Sequence, residues 1–148
     1  MADRDDSQLG SITRLAEHGE QECARKLSET RGRLNDRLAR IEQLRTYQAE
    51  YAAQGRAEHG VSVHVSQLIG RAAFLGRLED AIAHELAQKE MLEKDVQLCL
   101  QNWHEAHARA EAMRTLKDKQ ARAVERRHAR REQSLADTHA SSRHGLQD

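Results

Sequence analysis

The chain has 148 residues, equal numbers of basic and acidic side chains, and no proline. Only 3% of the residues are aromatic and 32% are charged, which excludes a thick globular core but allows a thin apolar seam between helices. A formal net charge of zero gives no support for binding of nucleic acid or an anionic membrane by the chain as a whole. No run approaches the ~18 apolar residues that span a bilayer, and no secretory segment follows Met1. We therefore expect a cytoplasmic protein without direct membrane insertion, and its two cysteines fit a reducing compartment.

The first long helical pattern begins near Leu9, after a short polar tail, and continues to about residue 54. Its apolar positions repeat in eight steps over 28 residues, a mean spacing of 3.5. That spacing is the heptad period of a left-handed coiled coil. The predicted seam positions of this helix are Cys23, Leu27, Thr30, Leu34, Leu38, Ile41, Leu44, Gln48 and Tyr51.

An interruption follows at 55–66, where Gly55 and Gly60 favour the end of a helix. A second helical pattern covers about 67–138, and a polar tail occupies 139–148. The seam of this second helix repeats in 16 steps over 56 residues, again a mean spacing of 3.5. The predicted positions are Leu68, Ala72, Leu75, Leu78, Ile82, Leu86, Lys89, Leu92, Val96, Cys99, Trp103, Ala106, Ala110, Met113, Leu116, Gln120 and Val124. The matched periods predict one all-α domain over 1–148, in which two long helices form an antiparallel coiled-coil hairpin and the second, longer helix overhangs the first.

A bend centred near residue 61 would place Cys23 opposite Cys99 and Met113 opposite Leu9. The second helix would then lack a partner beyond about residue 115. This stretch is basic, since eight Lys or Arg residues and only two acids lie between Arg114 and Arg131.

Apolar residues are in excess near the bend, where each helix carries a second apolar face beside its seam. These faces comprise Leu44, Tyr47 and Tyr51 on the first helix and Phe74, Leu78 and Ala81 on the second. The excess fits either a wider core where the helices splay apart or an exposed patch for a protein partner.

No pattern in the sequence indicates an enzyme, a catalytic residue or a cofactor site. Cys99, His104 and His107 come nearest to a zinc set, but no loop supplies a fourth ligand, so we predict no bound metal. The basic run RRHARR (126–131) fits either a solvated helix end or a contact with an acidic protein surface. Nucleic acid is disfavoured as its partner because no aromatic residues interleave with the basic ones.

Four motifs, in their order and spacing, resemble the FliJ family of the bacterial flagellar type III export apparatus. They are LxxYQxEY (44–51), FLxRLExAI (74–82), Trp103 and LKDKQ (116–120). The resemblance extends over nearly the whole chain, although REQSLAD (131–137) departs from the acidic finish of the family's C-terminal motif. It implies a non-enzymatic antiparallel coiled coil, monomeric when free, similar to the central stalk of rotary ATP synthases.

The resemblance also implies partners. These are the hexameric export ATPase FliI, whose ring the stalk enters and whose assembly it promotes, the cytoplasmic domain of the export gate protein FlhA, and export chaperones. The protein would lie in the cytoplasm, peripheral to the cell membrane through the export apparatus. The alternatives are a generic coiled-coil scaffold that dimerises through its overhang, and an injectisome stalk of the same architecture.

The family's functional surfaces fall on two sets of residues in this sequence. The gate-binding surface falls on Leu44, Tyr47, Tyr51, Phe74, Leu78 and Ala81. The ring-entering end falls on Leu9–Cys23 and Met113–Leu135, with ring contacts at Arg114, Arg122, Arg126, Arg127, Arg130 and Arg131. Two further positions of the gate surface hold Arg40 and Glu85, which differ from the family pattern.

Overall fold

The computed structural model describes residues 2–57 and 64–146 of the chain. Nearly all of them belong to two α-helices, α1 (Ala2–Ala57) and α2 (Val65–Gly145). The helices pack against each other as an antiparallel pair and α2 is the longer, so the predicted all-α hairpin is confirmed. The chain divides into two compact units: a terminal unit, Met1–Glu22 with His104–Asp148, and a bend unit, Cys23–Trp103. The single domain over 1–148 stays a prediction.

The bend unit is held together by the large aliphatic residues of the predicted seam. Leu27, Ile41, Leu78 and Ile82 are buried, and most other seam positions between Leu75 and Trp103 are half-buried or better. Burying such side chains contributes about 1.5–3 kcal/mol each. The first seam residues of α2 are an exception, because Leu68 and Ala72 are exposed.

The prediction that Leu38 belongs to the seam is wrong. Leu38 is exposed, and the neighbouring Arg37 is half-buried in its place. Arg37 Nη1 donates a hydrogen bond of 2.8 Å to Glu85 Oε2 on α2. With Arg37 included, the half-buried and buried positions 23, 27, 30, 34, 37, 41, 44, 48 and 51 alternate steps of four and three without a break. The heptad of α1 is therefore more regular than hydrophobicity alone indicates.

The predicted register also needs a correction at Cys99. Its Sγ lies 3.7 Å from Thr30 Oγ1, and Thr30 is one heptad beyond the predicted partner Cys23. Both cysteines are free and half-buried. The contact of Arg37 with Glu85 still fits a centre at residue 61, whereas that of Thr30 with Cys99 is one heptad away from it. A pairing rule with one fixed centre therefore does not describe both contacts.

Both helices extend beyond their predicted ends. The predicted N-terminal tail belongs to α1, whose first turn carries Asp3 and Asp5, acids that favour a helix N-terminus. The predicted tail at 139–148 is helical as far as Gly145, and Arg143 and His144 favour this C-terminus. Gly55 lies within α1 with no positive φ, so it does not end the helix. The predicted break at Gly60 lies outside the described residues.

The terminal unit is packed through small side chains. Thr13, Ala106 and Ala110 are buried, and Gln120 and Ala123 are still half-buried. Every described residue from Val124 to Leu146 is exposed. We call residues 124–146 the overhang. It begins about nine residues later than predicted, and most of this difference follows from the start of α1 at Ala2 rather than near Leu9.

Candidate protein-interaction sites

The six residues predicted to bind the export gate all lie in the bend unit and differ in exposure. Tyr47 is 50% exposed and Phe74 is 39% exposed, whereas Leu78 is buried. The rings of Phe74 and Tyr51 lie with their centroids 4.6 Å apart and their planes tilted by 53°, which joins α2 to α1. Such a pair contributes about 0.5–1.5 kcal/mol beyond the area that it buries.

The residues of this apolar excess divide between the core and the surface. Leu78 belongs to the core between the helices, and Leu44, Tyr51 and Ala81 are half-buried at its margin. Tyr47 and Phe74 present much of their rings to solvent, and we call these two residues the aromatic patch. Exposed aromatic rings supported by a packed layer are the usual anchors of protein interfaces.

The two positions that depart from the family pattern have different surroundings. Glu85 is engaged by Arg37 and its side chain is only 15% exposed, so it belongs to the contact between the helices. Arg40 is exposed. The departure at Glu85 therefore has a physical reason within this chain, because Glu85 is the partner that allows Arg37 to occupy the seam.

Five of the six residues predicted to contact the ATPase ring form one basic surface on α2. Each is exposed, and none has a carboxylate within salt-bridge distance among the described residues. At about 100° per residue, their side chains cover roughly half of the helix circumference. Glu125 and Glu132 fall on the other half. We call this surface the arginine face; it comprises Arg122, Arg126, Arg127, Arg130 and Arg131.

Arg114 is the sixth residue predicted to contact the ATPase ring. Its side chain is held by carboxylates within the terminal unit. Its Nε donates to Glu17 Oε1 at 3.1 Å and its Nη2 donates to Glu20 Oε2 at 3.0 Å, both across to α1. Its Nη1 donates to Glu111 Oε1 at 2.7 Å on α2. The carboxylates of Glu17 and Glu20 raise the pKa of the guanidinium, which stays charged.

Glu20 has a second partner, His107. Its Oε1 lies 2.7 Å from His107 Nδ1, and its side chain is only 17% exposed. The hydrogen bond with His107 lowers the pKa of the Glu20 carboxyl, and Arg114 lowers it further. We call Glu17, Glu20, His107, Glu111 and Arg114 together the Arg114 cluster.

Sequence reasoning missed the Arg114 cluster, although a signal for it was present. Glu17 and Glu20 are spaced i, i+3, and His107, Glu111 and Arg114 are spaced i, i+4, i+7, so each set lies on one helical face. The register centred on residue 61 placed Arg114 opposite residue 8, nine residues from Glu17, and so did not bring Arg114 to its carboxylates. Two of the residues that come nearest to a zinc set have other contacts, because His107 lies against Glu20 and Cys99 lies against Thr30.

Two further features, a metal-binding cluster and a membrane-spanning helix, are absent from the described residues. In that part of the chain, no group of three or more His, Cys, Asp or Glu side chains is placed to hold a metal ion. Neither helix, over its described length, has a stretch apolar enough to cross a membrane.

Comparison with known proteins gives a consistent family. A family model described as "Flagellar FliJ protein" matches residues 5–147. The Flagellar FliJ protein of Salmonella typhi is 29% identical over 116 residues, which cover 78% of this chain and 79% of the relative. The Flagellar FliJ protein of Escherichia coli (strain K12) is 27% identical over the same shares of the two chains. No solved structure matches the chain significantly.

Proposed function

The chain belongs to the FliJ family of flagellar proteins, and from that premise we propose that it is a non-catalytic stalk of the flagellar type III export apparatus. Family membership supports a component of flagellar protein export. The finer proposal is that the chain contacts the FliI ATPase ring through the arginine face, promotes ring assembly and activity, and binds the FlhA cytoplasmic domain through the aromatic patch. Escort of export chaperones and a peripheral position at the cytoplasmic side of the membrane belong to the same proposal.

The observation that carries this proposal is the arginine face on a helix that has little or no partner in its own chain. Five guanidinium groups lie exposed along ten residues of α2, and no carboxylate among the described residues lies within salt-bridge distance of them. Each can donate two parallel hydrogen bonds to one carboxylate of a partner, which gives orientation as well as affinity. A protruding basic helix of this kind suits insertion into a ring lined with acidic and polar side chains.

Truncation tests the ring contact. A chain ending at Ala121 lacks all five residues of the arginine face and keeps the Arg114 cluster. We expect it to lose stimulation of FliI ATP hydrolysis. The matched control ends at Glu132, keeps the arginine face and loses the rest of the overhang. Full stimulation by the Ala121 truncation would contradict the assignment of the arginine face.

The aromatic patch is proposed as the gate contact because its rings are exposed above a packed layer of Tyr51 and Leu78. Replacing both Tyr47 and Phe74 by Ala should weaken binding to the FlhA cytoplasmic domain by at least tenfold, as expected when hot-spot aromatic residues are removed. Isothermal titration measures the affinity, and circular dichroism checks that the helical content is kept. Leu98→Ala, at a residue 57% exposed and outside the patch, is the matched control. An unchanged affinity of the double variant would show that the aromatic patch is not part of the interface with FlhA.

A second candidate function is a scaffold that associates with itself through the overhang. Val124 and Leu135 are exposed there and lie on one helical face, which could pair with a second copy. The stalk proposal expects a monomer at micromolar concentration in analytical ultracentrifugation, whereas the scaffold expects a dimer that the Ala121 truncation abolishes. An injectisome stalk is less favoured, because the family model and both relatives carry a flagellar name.

A further inference from the structure

The Arg114 cluster and the arginine face have different roles. We propose that Arg114 is a positioning residue, which fastens α1 to α2 in the terminal unit and so directs the arginine face, and that it does not itself contact the ATPase ring. This inference rests on the proposed function for its effect on the ring, but the fastening itself is a property of the free chain.

The hydrogen-bond donors of Arg114 are already used. Each of its three guanidinium nitrogens donates to a different carboxylate, two on α1 and one on α2. A direct ring contact would require Arg114 to release these partners. By contrast, the five residues of the arginine face have no carboxylate partner to release in the part of the chain that the structure describes.

The charge around Arg114 also disfavours an acidic partner. Three carboxylates surround one guanidinium and one imidazole, so the cluster carries an excess of negative charge whichever form His107 takes. A further carboxylate would meet repulsion from Glu17, Glu20 and Glu111 at close range. The cluster therefore holds its arginine inward, while the arginine face offers its side chains outward.

The position of the cluster explains why polar contacts matter there. Among the described residues of the terminal unit, the buried ones are Thr13, Ala106 and Ala110, which bury far less apolar surface than the Leu and Ile residues of the bend unit. Towards the chain ends from the cluster, no hydrogen bond or ion pair joins the side chains of α1 and α2 among the described residues. The cluster is thus the last polar connection between the helices before α2 carries the arginine face into solvent.

The first experiment compares variants in stimulation of FliI ATP hydrolysis. Arg114→Gln should reduce stimulation several-fold, and Glu17→Gln with Glu20→Gln should reduce it to a similar extent. Arg109→Gln is the matched control, an exposed arginine five residues earlier on α2 that is expected to leave stimulation unchanged. If Arg114 contacted the ring directly, removing its carboxylates would leave stimulation intact or raise it, and that result would overturn the proposal.

A charge exchange adds a rescue test. The chain with Arg114→Glu, Glu17→Arg and Glu20→Arg restores opposite charges across the two helices. It should recover stimulation that Arg114→Glu alone loses, because the fastening depends on the pairing and not on which helix supplies the cation. Failure of the exchanged chain, although it folds to the same helical content, would count against positioning.

The second experiment uses the free chain, without any partner. Arg114→Gln should speed amide hydrogen exchange in residues 2–22 by about tenfold, the order expected when several partly exposed ion pairs are lost together. Exchange in the bend unit should not change. Unchanged exchange in residues 2–22 would refute the fastening. If the wild-type chain does not stimulate FliI, the proposed function is wrong. The exchange measurement still shows whether Arg114 fastens α1 to α2, because it uses the free chain.

Discussion

Arg37 shows how a charged side chain can occupy a seam position that an apolar neighbour would be expected to fill. Its guanidinium reaches Glu85 across the interface at 2.8 Å, and the two side chains are 25% and 15% exposed. Because both charges keep some contact with water, the desolvation cost is smaller than for a fully buried pair. The long apolar stem of Arg37 can still lie along the interface between the helices.

Removing one partner of this pair should destabilise the chain. We expect Arg37→Ala to lower the free energy of unfolding by about 1–3 kcal/mol, because Glu85 would keep its charge in a half-buried position without a partner. Replacing both residues by Leu should restore most of that loss, because no unpaired charge would remain. Urea denaturation measures the difference. An Arg37→Ala variant as stable as the wild type would show that the pair contributes nothing to stability.

The lowered pKa of Glu20 predicts that the folded chain loses stability in acid. Its pKa in the folded chain is lowered from the ordinary value of 4.5, first by His107 and then by Arg114. The carboxylate therefore contributes stability that is complete above pH 4.5 and disappears as the pH falls through the lowered folded value. We expect the thermal midpoint of the wild type to fall more steeply below this pH than that of Glu20→Gln, measured by circular dichroism. Parallel curves for the two chains would contradict the assignment.

Single residues at the interface were the hardest to predict from the sequence. Apolar character favoured Leu38 over Arg37, because the carboxylate that stabilises Arg37 lies 48 residues away in the chain. Arg114 was predicted to contact the ATPase ring, and the two carboxylates of α1 that hold it, Glu17 and Glu20, could not be assigned without the register. The exposed positions of the arginine face depend only on one helix, so its sequence was enough to predict them.

At the scale of the helices, the heptad period predicts which face is buried but does not predict where a helix ends. The charged tails were predicted to be non-helical because they lack seam residues, yet Asp3 and Asp5 at one terminus and Arg143 and His144 at the other complement the helix dipole. Electrostatics at the ends thus extends helices beyond the region where packing supports them.

Several glycines inside the helices have no packing reason to be glycine. A Cβ atom added at Gly32 would meet no heavy atom within 4 Å, and no described glycine has a positive φ. We expect Gly32→Ala to raise the free energy of unfolding by about 1 kcal/mol through helix propensity alone. The reverse change at an exposed position of α2, Ala83→Gly, should lower it by a similar amount. Urea denaturation of both variants measures these changes, and a Gly32→Ala chain less stable than the wild type would indicate a contact at that position.

For the whole molecule, composition and period predict the antiparallel pair, while the register depends on details that neither contains. Both helices repeat every 3.5 residues, so shifts by a heptad give seams of similar apolar content. Pairs such as Thr30 with Cys99, and Glu17 with Arg114, select among these registers. The start of the overhang was misplaced for the same reason, together with the early start of α1.

The overhang should contribute little to the stability of the chain. Apart from Ala123, the residues from Ala121 to Leu146 are exposed. We expect the truncation at Ala121 to keep the thermal midpoint of the full chain, within the small change usual for exposed residues. Truncation at Trp103 should lower it clearly, because that chain lacks Ala106, Ala110 and the three residues that α2 contributes to the Arg114 cluster. Differential scanning calorimetry measures both midpoints, and a large drop for the Ala121 truncation would show packing by the segment that is removed.

The overhang also determines where proteases should cleave the chain. The end of a helix that packs against nothing opens locally more often than a packed segment, and the arginine face supplies five cleavage points for trypsin within ten residues. Early digestion should therefore release the C-terminal segment and leave a resistant fragment with both helices. The same bonds would be shielded when a partner covers them, so the digestion pattern can serve as a label-free footprint of docking. Under the proposed function, a single nick would yield a fragment that still occupies the export gate but no longer engages the ATPase, and such a fragment would act as an inhibitor of export.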